Sequence, residues 1–315
     1  MIVDIHTHTP SHVDVVPDDE VVVNRRWRSD REVIASNTWL DYEAACAGVD
    51  VSVAFNIAVA DPVGATGIPS DPARINESTA DFVAAAPDRR IGFMSVDPND
   101  PDCLAEMERC RFQLNLAGIK LAPNYQHFDP LGVAAAQVFR RATALKLPIV
   151  IHQGASPIPD APLRFAHPLQ MDELAIAFPD LRLVIAHMGH PWQRDTIVII
   201  RKHPHLYADV SALIFRPWSL YEALRLATEW GVTHKLLFGS DFPLATPRET
   251  MNGLRGVNQI VEGTRLPPVP TELIEQIINA DALGALGLAR PAGPPLGGRL
   301  ASHTTATNQR TEAHG

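Results

Sequence analysis

A chain of 315 residues, 46% hydrophobic and 20% charged, carries enough apolar material for one large α/β domain or two small ones and is too apolar for global disorder. A formal net charge of −9 and a pI near 5.8 argue against a nucleic-acid partner, which usually needs a basic face. No uninterrupted apolar stretch approaches the ~18 residues that span a bilayer, and the N-terminus enters a strand without the pattern of a signal peptide. The three cysteines, Cys46, Cys103 and Cys110, are odd in number, and no two have metal-ligand spacing. They read as buried thiols in a reducing compartment, so the expected location is cytoplasmic.

The first eight residues, Met-Ile-Val-Asp-Ile-His-Thr-His, open the pattern. Ile2, Val3 and Ile5 form an apolar, β-branched run of the kind that makes a buried parallel strand. His6 and His8 fall one pleat apart on one side of it, with Asp4 behind them. Residues 9–37 are a long connection containing Arg25, Arg26, Trp27, Arg28 and Arg31. This segment reads either as a lid or binding loop or as a solvated insertion. Helical stretches then alternate with apolar runs. A helix around Thr38–Gly48 precedes a strand at Asp50–Ala58, and Asp71–Ala86 precedes Arg90–Val96. Asp102–Leu116 precedes Ala117–Ala122, and Leu131–Lys146 precedes Leu147–Gln153. Pro168–Phe178 precedes Leu181–His187, Trp192–Lys202 precedes Leu206–Ser211, and Ser219–Gly231 precedes Lys235–Asp241. Two more helices are expected at Pro247–Glu262 and Thr271–Leu288, the second with Thr271 as its N-cap. Residues 290–315, rich in Pro, Gly, Ala, Thr and Ser, read as a disordered tail.

Eight strands, each followed by helical pattern, predict a single α/β domain over residues 1–289: a closed, distorted (β/α)₈ TIM barrel. An open doubly wound sheet is the competitor, but it would more often carry a glycine-rich turn after strand one, and none is present. Chemistry-bearing residues fall at the C-terminal ends of these strands, where active sites of such barrels lie. His6 and His8 end strand one, Lys120 sits on strand four, His152 ends strand five, His187 ends strand six and Asp241 ends strand eight. Any one of these histidines alone would read as a hydrogen-bonded core residue. All of them at strand ends fit a metal centre, because ionisable groups are rarely buried without a purpose. Three imidazoles and one carboxylate would leave a divalent ion an open position for water, and a further histidine could serve as acid or base near neutral pH.

Asp4-Ile-His-Thr-His8, Gly118-Ile-Lys-Leu121, Ile151-His-Gln-Gly154, Ala186-His-Met-Gly189 and Phe238-Gly-Ser-Asp-Phe-Pro243 together resemble the amidohydrolase superfamily. The resemblance is strongest to its amidohydrolase-2 branch, which includes aminocarboxymuconate-semialdehyde decarboxylase and related decarboxylases and lactonases, and it covers residues 1–288. It implies an amidohydrolase-type barrel in which His6, His8, His152 and Asp241 hold one divalent metal, Zn²⁺ foremost, with Mn²⁺, Fe²⁺ or Co²⁺ as alternatives. His187 and Asp241 would be catalytic, and Asp4 would orient the strand-one ligands. Lys120 stays open between three roles: a carboxylated bridge to a second metal shared with His187, a contact to an anionic substrate group, or a structural ion pair.

Asn56, Tyr125 and Arg216 are further substrate-binding candidates, Arg216 because its fork suits a carboxylate. Trp218, with Arg216, follows strand seven, and Gln126, His127 and Phe128 extend an aromatic-polar loop after strand four. His190 reads as an ordinary loop residue, and His12, His203, His205, His234, His303 and His314 as surface or tail. The leading functional expectation is a metal-dependent hydrolase acting on the ester, lactone or amide carbonyl of a small, anionic substrate. The alternative is a non-oxidative decarboxylase of an aromatic or muconate-type acid. From another class comes a catalytically inactive barrel used for binding. A small-molecule substrate, no nucleic-acid or membrane partner and a homodimer complete the expectations.

Overall fold

The apolar runs become eight parallel strands, each hydrogen-bonded to the next in chain order. They are β1 (Val3–His8), β2 (Val51–Phe55), β3 (Arg90–Ser95), β4 (Gly118–Leu121), β5 (Ile149–Ile151), β6 (Leu183–Ile185), β7 (Leu206–Asp209) and β8 (Leu236–Leu237). The structure, a computed structural model, describes residues 1–58 and 72–291. The tail expected over 290–315 lies, from residue 292 onward, outside the described residues, as does Asp71. The barrel closes where the end of β8 returns to β1. Ile5 N–H donates to the Phe238 carbonyl (3.1 Å), Asp241 N–H to the His6 carbonyl (2.7 Å) and His8 N–H to the Phe242 carbonyl (2.8 Å).

Alternation along each strand sorts side chains into two layers. Val51, Val53, Phe55, Ile91, Phe93, Val150, Val184 and Leu237 fill the barrel, whose lower end is plugged by Ala282, Leu283 and Leu286 of the last helix. Their sequence neighbours, such as Ile119, Leu121, Ile149, Ile151, Leu183 and Ile185, pack outward under the helices. Polar residues in the inward phase therefore emerge at the upper end: Lys120 continues from Gly118, His152 from Val150, Asp209 from Tyr207 and Asp241 from Leu237.

Strand β1 departs from simple alternation. Val3 and Ile5 face the barrel interior, so an uninterrupted pleat would turn His6 and His8 away. Instead the register slips by one residue: Asp4 lies opposite Ser52, but Thr7 lies opposite Ala54. The extra residue reverses the phase. Thr7 now points outward, where its hydroxyl donates to the Val53 carbonyl (2.8 Å) and meets the Tyr42 hydroxyl (2.7 Å). With Thr7 tied out, His6 and His8 turn in. The slip, rather than continuous alternation, sets the side on which the histidine pair emerges.

Several boundaries differ from the sequence reading. Strand eight, expected over Lys235–Asp241, is regular only at Leu236–Leu237, and strand six, expected over Leu181–His187, only at Leu183–Ile185, so Asp241 and His187 lie in the segments just beyond their strands. The helix expected over 247–262 is an α-helix only to Arg255, followed by a 3₁₀ segment at Val257–Val261. The last one divides into Thr271–Ile278 and Ala282–Leu286, the second begun by Asp281, whose carboxylate accepts the Gly284 N–H at 3.0 Å. Thr271 is not the N-cap: Pro270 holds that position in extended conformation and Thr271 is already helical. Thr38 and Thr246 do cap their helices, each in a reciprocal box, with Asp41 and Glu249. The long connection after β1 carries a short antiparallel pair, Val23–Asn24 with Val33–Ile34. It is fastened by buried Arg28, which forks onto Asp30 (2.8 and 2.6 Å), donates to the Leu244 carbonyl (3.0 Å) and lies 4.9 Å from the centre of the Phe215 ring.

Gly118 sits opposite Phe93 on the neighbouring strand, and a Cβ at Gly118 would come within 2.4–2.6 Å of that fully buried ring. Gly118→Ala should lower unfolding free energy by about 1–3 kcal/mol, read as an earlier midpoint in urea with an unchanged slope.

Candidate active site at the barrel mouth

The upper end of the barrel opens into a solvent-connected cleft. His6, His8, Lys120, His152, His187 and Asp241 line it, together with Asn56, Tyr125 and Arg216, so the structure brings these nine candidates to one place, whereas Gln126, His127 and Phe128 do not line it. Trp27 of the long connection and Ile57, Leu213 and Leu244 add apolar wall. Trp218 is more than half exposed and does not line the cleft.

Asp241 Oδ1 lies 3.3 Å from His6 Nε2 and 3.2 Å from His8 Nε2, so three donor atoms converge from the first and last strands. A second group, His6, His187 and Asp209, adjoins it. His152 belongs to neither donor group; its ring packs between those of His187 (5.0 Å between centroids) and Tyr125 (4.8 Å), and its buried Nε2 has no hydrogen-bond partner. Lys120 is fully buried, with its Nζ 3.2 Å from His6 Nε2 and 4.6 Å from the centre of the Phe55 ring. It forms no ion pair with a carboxylate among the described residues, so the structural ion pair is not seen.

Asp209 was not anticipated. Its Oδ2 accepts from His6 Nδ1 (2.9 Å) and its Oδ1 from the His187 N–H (2.9 Å), the Ser211 N–H (3.0 Å) and the Ser211 hydroxyl. Nδ1 of His6 therefore carries the proton, leaving the Nε2 lone pair toward the mouth. Ser211 relays the same bias: its hydroxyl proton goes to Asp209, so Oγ accepts from His187 Nδ1 at 2.8 Å. The available signal was a carboxylate in the inward phase at the end of strand seven, the position rule that selected the others.

Burial governs the protonation states. It pushes His6 and His187 well below the usual imidazole range and His152 down to about 3, in each case assisted by neighbouring positive charge. Burial lowers Lys120 to about 8 against the pull of Asp241 and Asp209, and raises Asp241 against His8 and Lys120. Four residues at these strand ends, His187, Met188, Ala212 and Asp241, hold left-handed backbone (φ 56°, 47°, 57° and 64°) without being glycine. Such strain is held in place by surrounding bonds; here these are Asp209 to the His187 N–H and the His6 carbonyl to the Asp241 N–H.

Asp4 stands behind the pair, accepting the His6 N–H (3.1 Å) and Ser240 N–H (3.0 Å) at Oδ1 while Oδ2 is buried without a partner. Burial raises its carboxyl from 3.8 to about 7. A raised folded value contributes stability that is complete below the unfolded value and is lost as pH rises through 7. Chelator-treated Asp4→Asn should therefore gain stability relative to the parent between pH 5 and pH 8 in denaturant titrations; a pH-independent difference would contradict the assignment.

Comparison with known proteins places this geometry. No curated protein sequence matches the chain. Among solved structures, 5-carboxyvanillate decarboxylase from Sphingomonas paucimobilis superposes with a TM-score of 0.62 at 16% identity, over 91% of this chain and 99% of that one. A "probable 2-pyrone-4,6-dicarboxylic acid hydrolase" from Acinetobacter baumannii, with citric acid bound, gives 0.61 at 15% identity over the same shares. A dihydroxybenzoic acid decarboxylase from Polaromonas sp. JS666 with bound manganese gives 0.57 at 16% identity, over 91% and 96%. At these identities the likeness is one of fold. The family model described as Amidohydrolase matches residues 3–279, and the chain belongs to that amidohydrolase family.

Proposed function

We propose that this protein is a metal-dependent hydrolase in which water attacks the ester, lactone or amide carbonyl of a small anionic substrate. The donor set fits a divalent ion. His6, His8 and Asp241 converge from two strands, the buried imidazoles are held neutral, and His152 Nε2 is an orphaned nitrogen beside them. These four residues would hold the ion, with zinc and manganese both compatible with a nitrogen–oxygen set. Bound there, the ion would supply Lewis acidity, lowering the pKa of water and polarising a substrate oxygen.

The rest falls to the chain. The observation that carries the hydrolytic reading is Asp241: Oδ1 is engaged by the two histidines, Oδ2 has no hydrogen bond among the described residues, and burial makes the carboxylate a stronger base. Oδ2 is thus available to take the proton from water. Protonated Asp241 can then return that proton to the leaving oxygen, while His187, neutral and fixed through Ser211, presents Nε2 as an acceptor that can orient the water. Lys120 supplies positive charge for an anionic group on the substrate. The apolar wall with Trp27 limits water at the reacting atoms.

Decarboxylation is the second reading, favoured by the same raised Asp241 carboxyl, which could hold a proton and deliver it to carbon; two of the three structural neighbours named above are decarboxylases. Zinc- or manganese-loaded protein should be assayed against a panel of lactones by proton release and against carboxylated phenols by CO₂ release. Acid release from lactones without CO₂ is expected; CO₂ release from the phenols would replace hydrolysis with decarboxylation, and no turnover with metal bound would favour a binding barrel. Asp209→Asn keeps the side-chain volume but removes the anionic acceptor from His6 Nδ1. It should weaken metal affinity about 10–100-fold in chelator competition, with the melting profile showing a folded barrel.

A further inference from the structure

The helix Trp39–Ala45, which follows the long connection, carries a buried tyrosine, Tyr42, that does not line the cleft. Its side chain nevertheless reaches both halves of the converging donor group. The hydroxyl lies 2.7 Å from Oγ1 of Thr7, the residue between His6 and His8. The ring packs edge-to-face on Phe242, the residue after Asp241, with 5.3 Å between centroids. Thr7 and Phe242 are themselves paired across the seam in a parallel bridge, and the Phe242 carbonyl accepts the His8 N–H. Phe82 packs on the Tyr42 ring at 4.8 Å and fixes its place. The direction of the hydroxyl bond follows from its neighbours. A carbonyl only accepts, so the Thr7 proton goes to Val53 (2.8 Å), and the Tyr42 O–H is the donor to Thr7. Burial raises the phenol well above its ordinary range and keeps that proton on it. Oγ1 of Thr7 thus gives one bond and receives one, both on the outer side of β1. Without them residue 7 is free to return to the inward phase of an unbroken pleat, which would turn His6 and His8 away from the cleft.

We propose that Tyr42 is a positioning residue for the metal centre, holding His6, His8 and Asp241 in one register across the seam through its contacts with Thr7 and Phe242. The inference deepens the proposed function and rests on it for the presence of an ion. Tyr42 touches none of the donor atoms. Its effect passes through the backbone of β1 and of the segment after β8, and the O–H bond to Thr7 is the part of it that chemistry can remove without disturbing the ring packing.

Cobalt(II), whose visible absorption reports the arrangement of its ligands, is the probe, titrated into the metal-free full chain in competition with a chelator. Tyr42→Phe keeps the ring contacts and removes only the O–H. It should weaken cobalt binding about 10-fold, the lower end of the effect of groups that orient ligands, and alter the visible spectrum. Thr7→Val removes both hydroxyl bonds at nearly constant volume and should weaken cobalt at least as much, with Thr7→Ser restoring most of the affinity. Because Tyr42 acts through Thr7, the double variant Tyr42→Phe/Thr7→Val should bind no more weakly than Thr7→Val alone. Tyr221→Phe is the control: Tyr221 is another buried tyrosine, and its hydroxyl donates to the Pro267 carbonyl at 2.8 Å, on the helix after β7. It should lose comparable stability in denaturant while keeping the parent's cobalt affinity and spectrum. Parent-like affinity and spectrum in Tyr42→Phe, a loss no larger than that of Tyr221→Phe, or additive losses in the double variant would overturn the assignment. Should Thr7→Val fail to fold, the comparison of Tyr42→Phe with Tyr221→Phe decides by itself. A parent chain that takes up no cobalt overturns the metal reading and this inference together, whereas parent-like binding by Tyr42→Phe overturns this inference alone.

Discussion

The Asp209 carboxylate is the contact on which the mouth of this barrel depends. It reaches His6 on the first strand, the backbone of His187 after the sixth and Ser211 just beyond its own. Through these bonds it decides which nitrogen of His6 and, by way of Ser211, which nitrogen of His187 faces the cleft. What looks in sequence like a scatter of histidines is one hydrogen-bonded unit, and networks of this kind gain strength from low local dielectric only while every member is satisfied. Asp209 uses both oxygens, whereas Asp4 behind the histidines leaves one unmatched. That contrast separates a carboxylate that organises the site from one that ties β1 to the end of β8 at an electrostatic cost.

Desolvation does the remaining tuning. The same loss of water keeps the imidazoles unprotonated, softens the Lys120 ammonium and makes Asp241 more basic. No single partner could shift acids, bases and amines each toward the uncharged form; a shared buried floor does so at once. Left-handed backbone at His187, Ala212 and Asp241 belongs to the same arrangement, since all three of these residues line the cleft.

Much of this was legible in the residues. Apolar runs of β-branched residues announced the strands, and polar residues directly following them announced the mouth, because inward phase and strand end can be read from spacing alone. The slip in β1 could not be read: it depends on Thr7 finding Val53 and Tyr42, contacts that arise from packing across 46 and 35 residues of chain. Asp209 was within reach of the same position rule, but sat unremarked inside its strand. His190 looked like an isolated loop histidine until the loop placed it against Gln193. Thr271 had the right chemistry for a cap, and Pro270 before it took the position: its φ of −58° would suit a helix, but its ψ of 132° does not, so the helix begins at Thr271.

The seam between β1 and the end of β8 joins residues at opposite ends of the fold: His8 and Asp241 are 233 positions apart, Asp4 and Ser240 are 236 apart. Contacts of such separation are the last to repay the entropy of closing the chain. During synthesis the first two histidines leave the ribosome long before their carboxylate partner exists, and the donor set comes into being only after the final barrel strand has been translated and docked. Under the proposed function, competence to capture an ion is therefore tied to completion of the polypeptide, so an interrupted chain ending short of Asp241 presents a pair of imidazoles but never the full donor set.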